Sequence, residues 1–327
     1  MMKLLLLCCM GIMQPQSVTS MSSADSVMKS QADAFIASTP ADLQSKQCSA
    51  VVSAIEGDFA PLERVRKSRN TSPQYSQNLN VRDFGNYRLY EPVSTEGESL
   101  PLLIYLHGGG WTFGSLNSCA AFCDAVASSG MIKVLAVDYR LAPEHPYPCA
   151  LDDCKEAIRY AVGHCRELGI DPERITIGGD SSGGNLAIAT ALSCEINVSS
   201  LLLFYPVTKA YNDGSHSWKK YAEGYGLDSD LMEAFNRAYL PDGQDPDKLA
   251  SVGDAPDALL ERLPRTLLVA AGRDILCDQG REFAARNQDR VTRVEFSDAV
   301  HLFITVPGQM AAFSEAVRLS VGFITGK

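Results

Sequence analysis

Six short runs of nearly continuous apolar residues, at 102–106, 131–137, 175–177, 201–205, 266–271 and 291–296, alternate with stretches of helical period. Runs this short and this hydrophobic suit strands buried on both faces, because a half-exposed strand would alternate polar and apolar residues. The stretches between them, near 118–129, 150–168, 185–194, 278–287 and 308–323, space their apolar residues as helices packed on such a sheet do. Parallel strands need crossovers of that size, so the chain is expected to form an α/β fold with a mostly parallel central sheet and helices on both faces. Its 327 residues fit one such domain with elaboration.

Two segments fall outside this rhythm. Nearly sixty residues, about 207–263, separate two of the strands and contain a helical 229–240 and a loop rich in Asp, Gly and Pro. An interval of that length reads as an insertion over one end of the sheet. Residues 25–78 are polar with scattered apolar anchors and predict one or two amphipathic helices, with Thr39 as an N-cap before Pro40 and Gly57 as a stop. The expected layout is an N-terminal cap segment at 25–78 and a catalytic domain at 79–327 that carries a second cap piece at 207–263.

The first 24 residues read differently. Lys3, the apolar run 4–10 and the small-residue tract 17–24 have the pattern of a secretory signal peptide cleaved after Ser20 or Ala24. The run is shorter than the roughly 20 residues a crossing needs, so stable membrane insertion is not expected. Export to a secreted or periplasmic location is the expectation, with a cytoplasmic chain as the alternative. Loss of the leader removes Cys8 and Cys9 and leaves eight cysteines, an even number that suits disulfides. A core of this size needs no staples, so most of them are expected as buried or half-buried thiols. Lys and Arg number 29 against 39 Asp and Glu, and the resulting charge of −10 argues against nucleic acid as a partner.

The chemistry concentrates at strand ends. The run 175–177 leads into Gly179-Asp180-Ser181-Ser182-Gly183, a G-x-S-x-G on a strand-to-helix turn. Only Ser181 has glycines at both −2 and +2, so it is read as the nucleophile and Ser182 as a backbone donor at a helix N-terminus. The run 102–106 ends in His107-Gly108-Gly109-Gly110-Trp111, whose glycines free backbone N–H groups for an oxyanion. Trp111 is expected beside the bound substrate. Of the five histidines only His216 and His301 follow the serine, and His301 is favoured because it lies just beyond a strand end. The acid candidates are ranked Asp274, Asp298 and Asp278, since Asp274 ends the preceding strand.

These residues, with the stretch 138–148 (Asp-Tyr-Arg-Leu-Ala-Pro-Glu-His-Pro-Tyr-Pro), Asp274-Ile275-Leu276-Cys277-Asp278 and His301-Leu302-Phe303, resemble the hormone-sensitive-lipase-like family of esterases with the α/β-hydrolase fold. The resemblance runs from about residue 102 to the C-terminus. It implies Ser181, Asp274 and His301 as a catalytic triad and the N–H groups of Gly108, Gly109 and Ser182 as the oxyanion hole. Two positions depart from the family pattern: Ser182 stands where alanine is usual, and Ile275 where proline is usual.

The reading is a serine carboxylic-ester hydrolase for small-molecule esters with short acyl groups, acetyl first, that works through an acyl-enzyme. The alternatives are an amidase or deacetylase on small amides, since the same triad serves both bonds, and a ligand-binding homologue. No cofactor or metal is expected, because the chain has neither H-E-x-x-H nor His/Cys sets of zinc spacing. A homodimer is left open.

Overall fold

The computed structural model describes residues 23–95, 99–245 and 247–327. The leader reading therefore concerns residues almost wholly outside those described. Eight strands form a single sheet: β1 (Leu79–Phe84), β2 (Tyr87–Pro92), β3 (Leu100–Leu106), β4 (Lys133–Val137), β5 (Ile170–Asp180), β6 (Ser200–Phe204), β7 (Arg265–Arg273) and β8 (Val291–Val300). Their order is β1-β2-β4-β3-β5-β6-β7-β8. β2 pairs antiparallel with β1 and β4, and all pairs from β4 to β8 are parallel.

The six apolar runs correspond to β3 through β8: β3, β5, β7 and β8 reach beyond their runs, β4 begins two residues later than its run, and β6 is shifted back by one residue. Their side chains divide between two cores. Leu102, Ile104 and Leu106 of β3 join the cluster on one face, while Leu103 and Tyr105 join the other. This is the period-two geometry of a strand covered on both sides, and it explains why no polar alternation was present.

Three helices precede the sheet: α1 (Ser23–Ser38), α2 (Leu43–Ile55) and α3 (Ala60–Arg69). The sequence predicted one or two. Thr39 is not an N-cap: its hydroxyl donates to the Phe35 carbonyl at the end of α1, and the residue before α2 is Asp42. Gly57 does end α2, at φ +101°, a conformation that favours glycine. The β1–β2 hairpin was not anticipated. Its two-residue Gly85-Asn86 turn joins a largely exposed β1 to a mostly buried β2, and Arg82, Asp83, Arg88 and Glu91 interrupt any apolar run in the pair.

The remaining helices are α4 (Ala120–Ala127), α5 (Cys149–Gly163), α6 (Cys165–Leu168), α7 (Ser182–Ser193), α8 (His216–Lys220), α9 (Ser229–Tyr239), α10 (Asp257–Leu260), α11 (Cys277–Arg286) and α12 (Met310–Thr325). The single helix expected at 150–168 is broken at His164 into α5 and α6. Helices α5, α7 and α9 contribute to the core on one face, and α4 and α12 to the core on the other. All eight cysteines among the described residues are free thiols. Among the described residues no helix is long and apolar enough to cross a membrane.

Candidate active site

The site lies at the C-terminal ends of β3, β5, β7 and β8, where α/β sheets form their clefts. β5 ends at Asp180, α7 begins at Ser182, and Ser181 between them is held at φ +53°, ψ −119°. That conformation costs about 1–3 kcal/mol and turns the side chain out of the sheet. The turn closes only because its flanks are bare. A Cβ on Gly179 would meet the Gly183 carbonyl oxygen at 2.5 Å, and one on Gly183 would sit 2.0 Å from the Leu106 carbonyl. Ser181 N–H donates to Phe204 at 2.9 Å, and its carbonyl accepts from Val207 and Asn185 at 3.1 Å. The strained residue is thereby fixed from three sides.

His301 follows β8 and meets Ser181 from above. Its Nε2 is 3.2 Å from Ser181 Oγ and its Nδ1 is 2.6 Å from Asp274 Oδ2. All three residues are buried. Asp274 is turned toward the ring by Leu276 N–H, which donates to its other oxygen at 3.0 Å. The loop carrying His301 is tied to the N-terminus of α12 by Gln309, whose Oε1 accepts from Val300 N–H and whose Nε2 donates to the Val300 and His301 carbonyls. Gln309 gave no signal in the sequence. The other candidates lie elsewhere: His216 is exposed, Asp278 accepts from Ser217 N–H and pairs with Arg281, and Asp298 is within β8.

The glycine loop differs from expectation in one respect. Gly108 N–H, expected as an oxyanion donor, donates to Asp180 Oδ1 at 3.0 Å. Gly109 and Gly110 line the cavity together with Ser181 and His301, whereas Gly108 does not. Neither of their amides donates to an acceptor among the described residues. The glycines that share the cavity with Ser181 are thus Gly109 and Gly110, and the Ser182 N–H lies at the start of α7, where helix amides have no intrahelical acceptor. Asp180 also accepts from Tyr105 OH at 3.0 Å. Burial pushes its carboxyl up to about 6, against the pull of these two donors. The loop is braced from behind by His107, which stacks on Tyr139 at 4.2 Å, while Tyr139 OH donates to the His107 carbonyl.

Trp111 is also placed differently. It is wholly buried and stacks on Tyr239 of α9, with rings 4.4 Å apart and nearly parallel. It does not line the cavity. Its large ring joins the glycine loop to the insertion instead of meeting substrate.

The cavity holding Ser181 measures about 330 Å³. Its walls come from both segments that broke the strand–helix rhythm: Phe35, Leu43 and Gln47 of α1 and α2, Arg69 of α3, and Leu227, Leu231 and Phe235 from the insertion. This is the size and largely apolar character of a site for a small organic molecule.

The sequence pattern of a family described as alpha/beta hydrolase fold matches residues 103–305, which is the greater part of the chain. A carboxylesterase (NlhH) of Mycobacterium tuberculosis is 35% identical over 238 residues, which cover 70% of this chain and 74% of the relative. The chain belongs to the hormone-sensitive-lipase-like family of α/β-hydrolase esterases. An arylesterase of Saccharolobus solfataricus is 36% identical over 227 residues, covering 67% of this chain and 73% of its own length. Among solved structures of this family's fold, an esterase of Pyrobaculum calidifontis superimposes with a TM-score of 0.72 at 29% identity, covering 81% of this chain and 92% of that one. An α/β hydrolase from the metagenome of Lake Arreo covers 92% of this chain and 97% of its own at a TM-score of 0.73 and 27% identity. As a family member the protein is a carboxylesterase-type serine hydrolase.

Proposed function

We propose that the protein hydrolyses small short-chain carboxylic esters, acetates first, with Ser181, His301 and Asp274 as its catalytic triad. The observation that carries this is the unbroken chain of contacts, 3.2 Å from Ser181 Oγ to His301 Nε2 and 2.6 Å from His301 Nδ1 to Asp274. Ser181 Oγ attacks the acyl carbon while His301 takes its proton, and Asp274 keeps the imidazole in the tautomer that accepts at Nε2. The developing alkoxide lies within reach of the Gly109, Gly110 and Ser182 N–H groups. His301 then returns the proton to the departing alcohol, leaving an acyl-Ser181. Water repeats the attack with His301 as base, and the acid is released.

The short acyl preference rests on the cavity. A volume of about 330 Å³ walled in part by Phe35, Leu43 and Phe235 favours a short acyl group over a long alkyl chain. Turnover of para-nitrophenyl esters from acetyl to palmitoyl, beside the matching anilide, tests both parts of the reading. kcat/KM is expected to peak at two to four acyl carbons and to exceed that of the anilide by orders of magnitude. A peak at palmitoyl, or faster cleavage of the anilide, refutes it. We also propose export through the 1–24 leader, supported by its pattern in the sequence. N-terminal sequencing of protein made in a secreting host should read a start between about Ser20 and Asp25, and an intact Met1 refutes it.

A further inference from the structure

Two polar side chains of the cap reach the cavity without a partner. Arg66 and Arg69 lie three residues apart on α3. Arg66 is saturated: its guanidinium donates to the Thr112 and Ala142 carbonyls and to both oxygens of Glu144. Among the described residues Arg69 makes no hydrogen bond and no ion pair, and it lies over the Phe113 ring with Cζ 5.4 Å from its centroid. It lines the same cavity as Ser181, Gly109 and Gly110. Gln47 of α2 lines that cavity too, is 6% exposed, and its carboxamide has no hydrogen-bond partner among the described residues.

A half-buried guanidinium without a carboxylate is costly, and proteins ordinarily satisfy such groups. Among the described residues the carboxylate acting on Arg69 is Asp180, which is not hydrogen-bonded to it: its Oδ1 serves Gly108 and Tyr105, and its Oδ2 is buried without a partner. Burial pulls the Arg69 pKa below its ordinary value, as expected for a cation whose desolvation is not offset by a partner. The fork of an arginine matches a carboxylate bidentately, and a carboxamide on the same cavity offers a further donor.

We propose that the ester this enzyme favours carries a carboxylate, held by Arg69 with Gln47 beside it, while the scissile carbonyl faces Ser181. This deepens the esterase reading above and rests on it. The remaining walls, Phe113, Leu231 and Phe235 among them, pack on the apolar body that joins the two groups. The carboxylate can sit on the acyl chain, as in a hemiester of a dicarboxylic acid, or on the alcohol, as in an acylated hydroxy acid.

The test uses two matched pairs with the full-length enzyme, each rate normalised to hydroxide hydrolysis. The acyl arm compares para-nitrophenyl hydrogen glutarate with para-nitrophenyl pentanoate. The alcohol arm compares para-acetoxybenzoate with para-tolyl acetate. In at least one arm kcat/KM for the acid-bearing ester is expected to exceed that of its neutral partner by roughly tenfold or more, and the arm identifies the side that carries the charge. Arg69→Met should erase this ratio, Arg69→Lys should keep part of it, and Gln47→Leu should lower it severalfold. The proposal is overturned by a ratio near one in both arms. It is overturned equally if the ratio survives Arg69→Met, or if Arg69→Met slows charged and neutral esters alike, which is the outcome for an arginine that only packs on Phe113 or balances Asp180. Should Arg69→Met not fold, the wild-type ratio, Arg69→Lys and Gln47→Leu still decide. Labelling of Ser181 by a fluorophosphonate, with turnover of the neutral esters, reports separately on the esterase reading.

Discussion

Ser181 and Ser182 are adjacent and chemically identical, yet the backbone places them differently, and the proposed mechanism uses the hydroxyl of one and the N–H of the other. Ser181 is at φ +53° with Oγ 3.2 Å from His301 Nε2, while Ser182 is fully buried as the first residue of α7. Ser181→Ala should cost several orders of magnitude in kcat, as expected for loss of a nucleophile. Ser182→Ala should retain most activity because only its N–H is used, and equal losses in two folded variants refute the assignment. Asp180 gives a second test. Its carboxyl is pushed from 3.8 up to about 6, so the folded state binds this proton more tightly than the unfolded chain. The stability it contributes is complete below the ordinary aspartate range and is lost as pH rises through about 6. The shift corresponds to about 3 kcal/mol. Asp180→Asn removes the loss, so urea unfolding of variant and wild type should diverge by up to that amount between about pH 4 and pH 7. A constant difference refutes it.

At the scale of elements, the sheet supplies fixed positions and the cap is fastened to it by a few polar ties. Arg66 links α3 to the Thr112 and Ala142 carbonyls and to Glu144. Arg66→Ala leaves those acceptors unpaired and should lower stability by about 1–3 kcal/mol while raising KM, because α3 also places Arg69 in the cavity. Thermal melts and steady-state kinetics read both effects, and an unchanged KM refutes the second. Gln309 does the same for the His301 loop. Gln309→Leu removes those ties and should reduce kcat by roughly tenfold or more with a smaller change in KM, since imidazole placement matters only once substrate is bound. A proportional change in KM alone would show that the loop holds without it.

At the scale of the whole molecule, the proposed mechanism puts reaction and selectivity in different parts of the chain. The reacting groups stand on the ends of β3, β5, β7 and β8, and most of the enclosing walls come from α1 to α3 and from the insertion. Exchange of the insertion for that of a relative with another chain-length preference should shift the acetyl to hexanoyl ratio of kcat/KM, with about 1–3 kcal/mol available per methylene contact. Reaction with an organophosphate should persist in the exchanged protein. An unchanged ratio in a folded, active chimera would place the acyl pocket on the N-terminal helices.

What the sequence determined by itself was local or repeated. Six of the eight strands were legible because burial on both faces writes a continuous apolar run, and Ser181, Asp274 and His301 stood out because each follows such a run. The β1–β2 hairpin was not, since β1 is largely exposed and Arg88 and Glu91 break the apolar run of β2. Tertiary structure decided whatever depends on direction. Three consecutive glycines are indistinguishable as letters, and only the approach of Asp180 commits Gly108 N–H to structure and leaves Gly109 and Gly110 facing the cavity. Trp111 was read toward substrate, but Tyr239, distant in sequence, stacks on it and takes it into the core. Arg66 and Arg69 share a helix, a charge and a polar context. Which is tied to the protein and which is left facing the nucleophile follows from what packs against each side of α3, and no spacing in the chain records that.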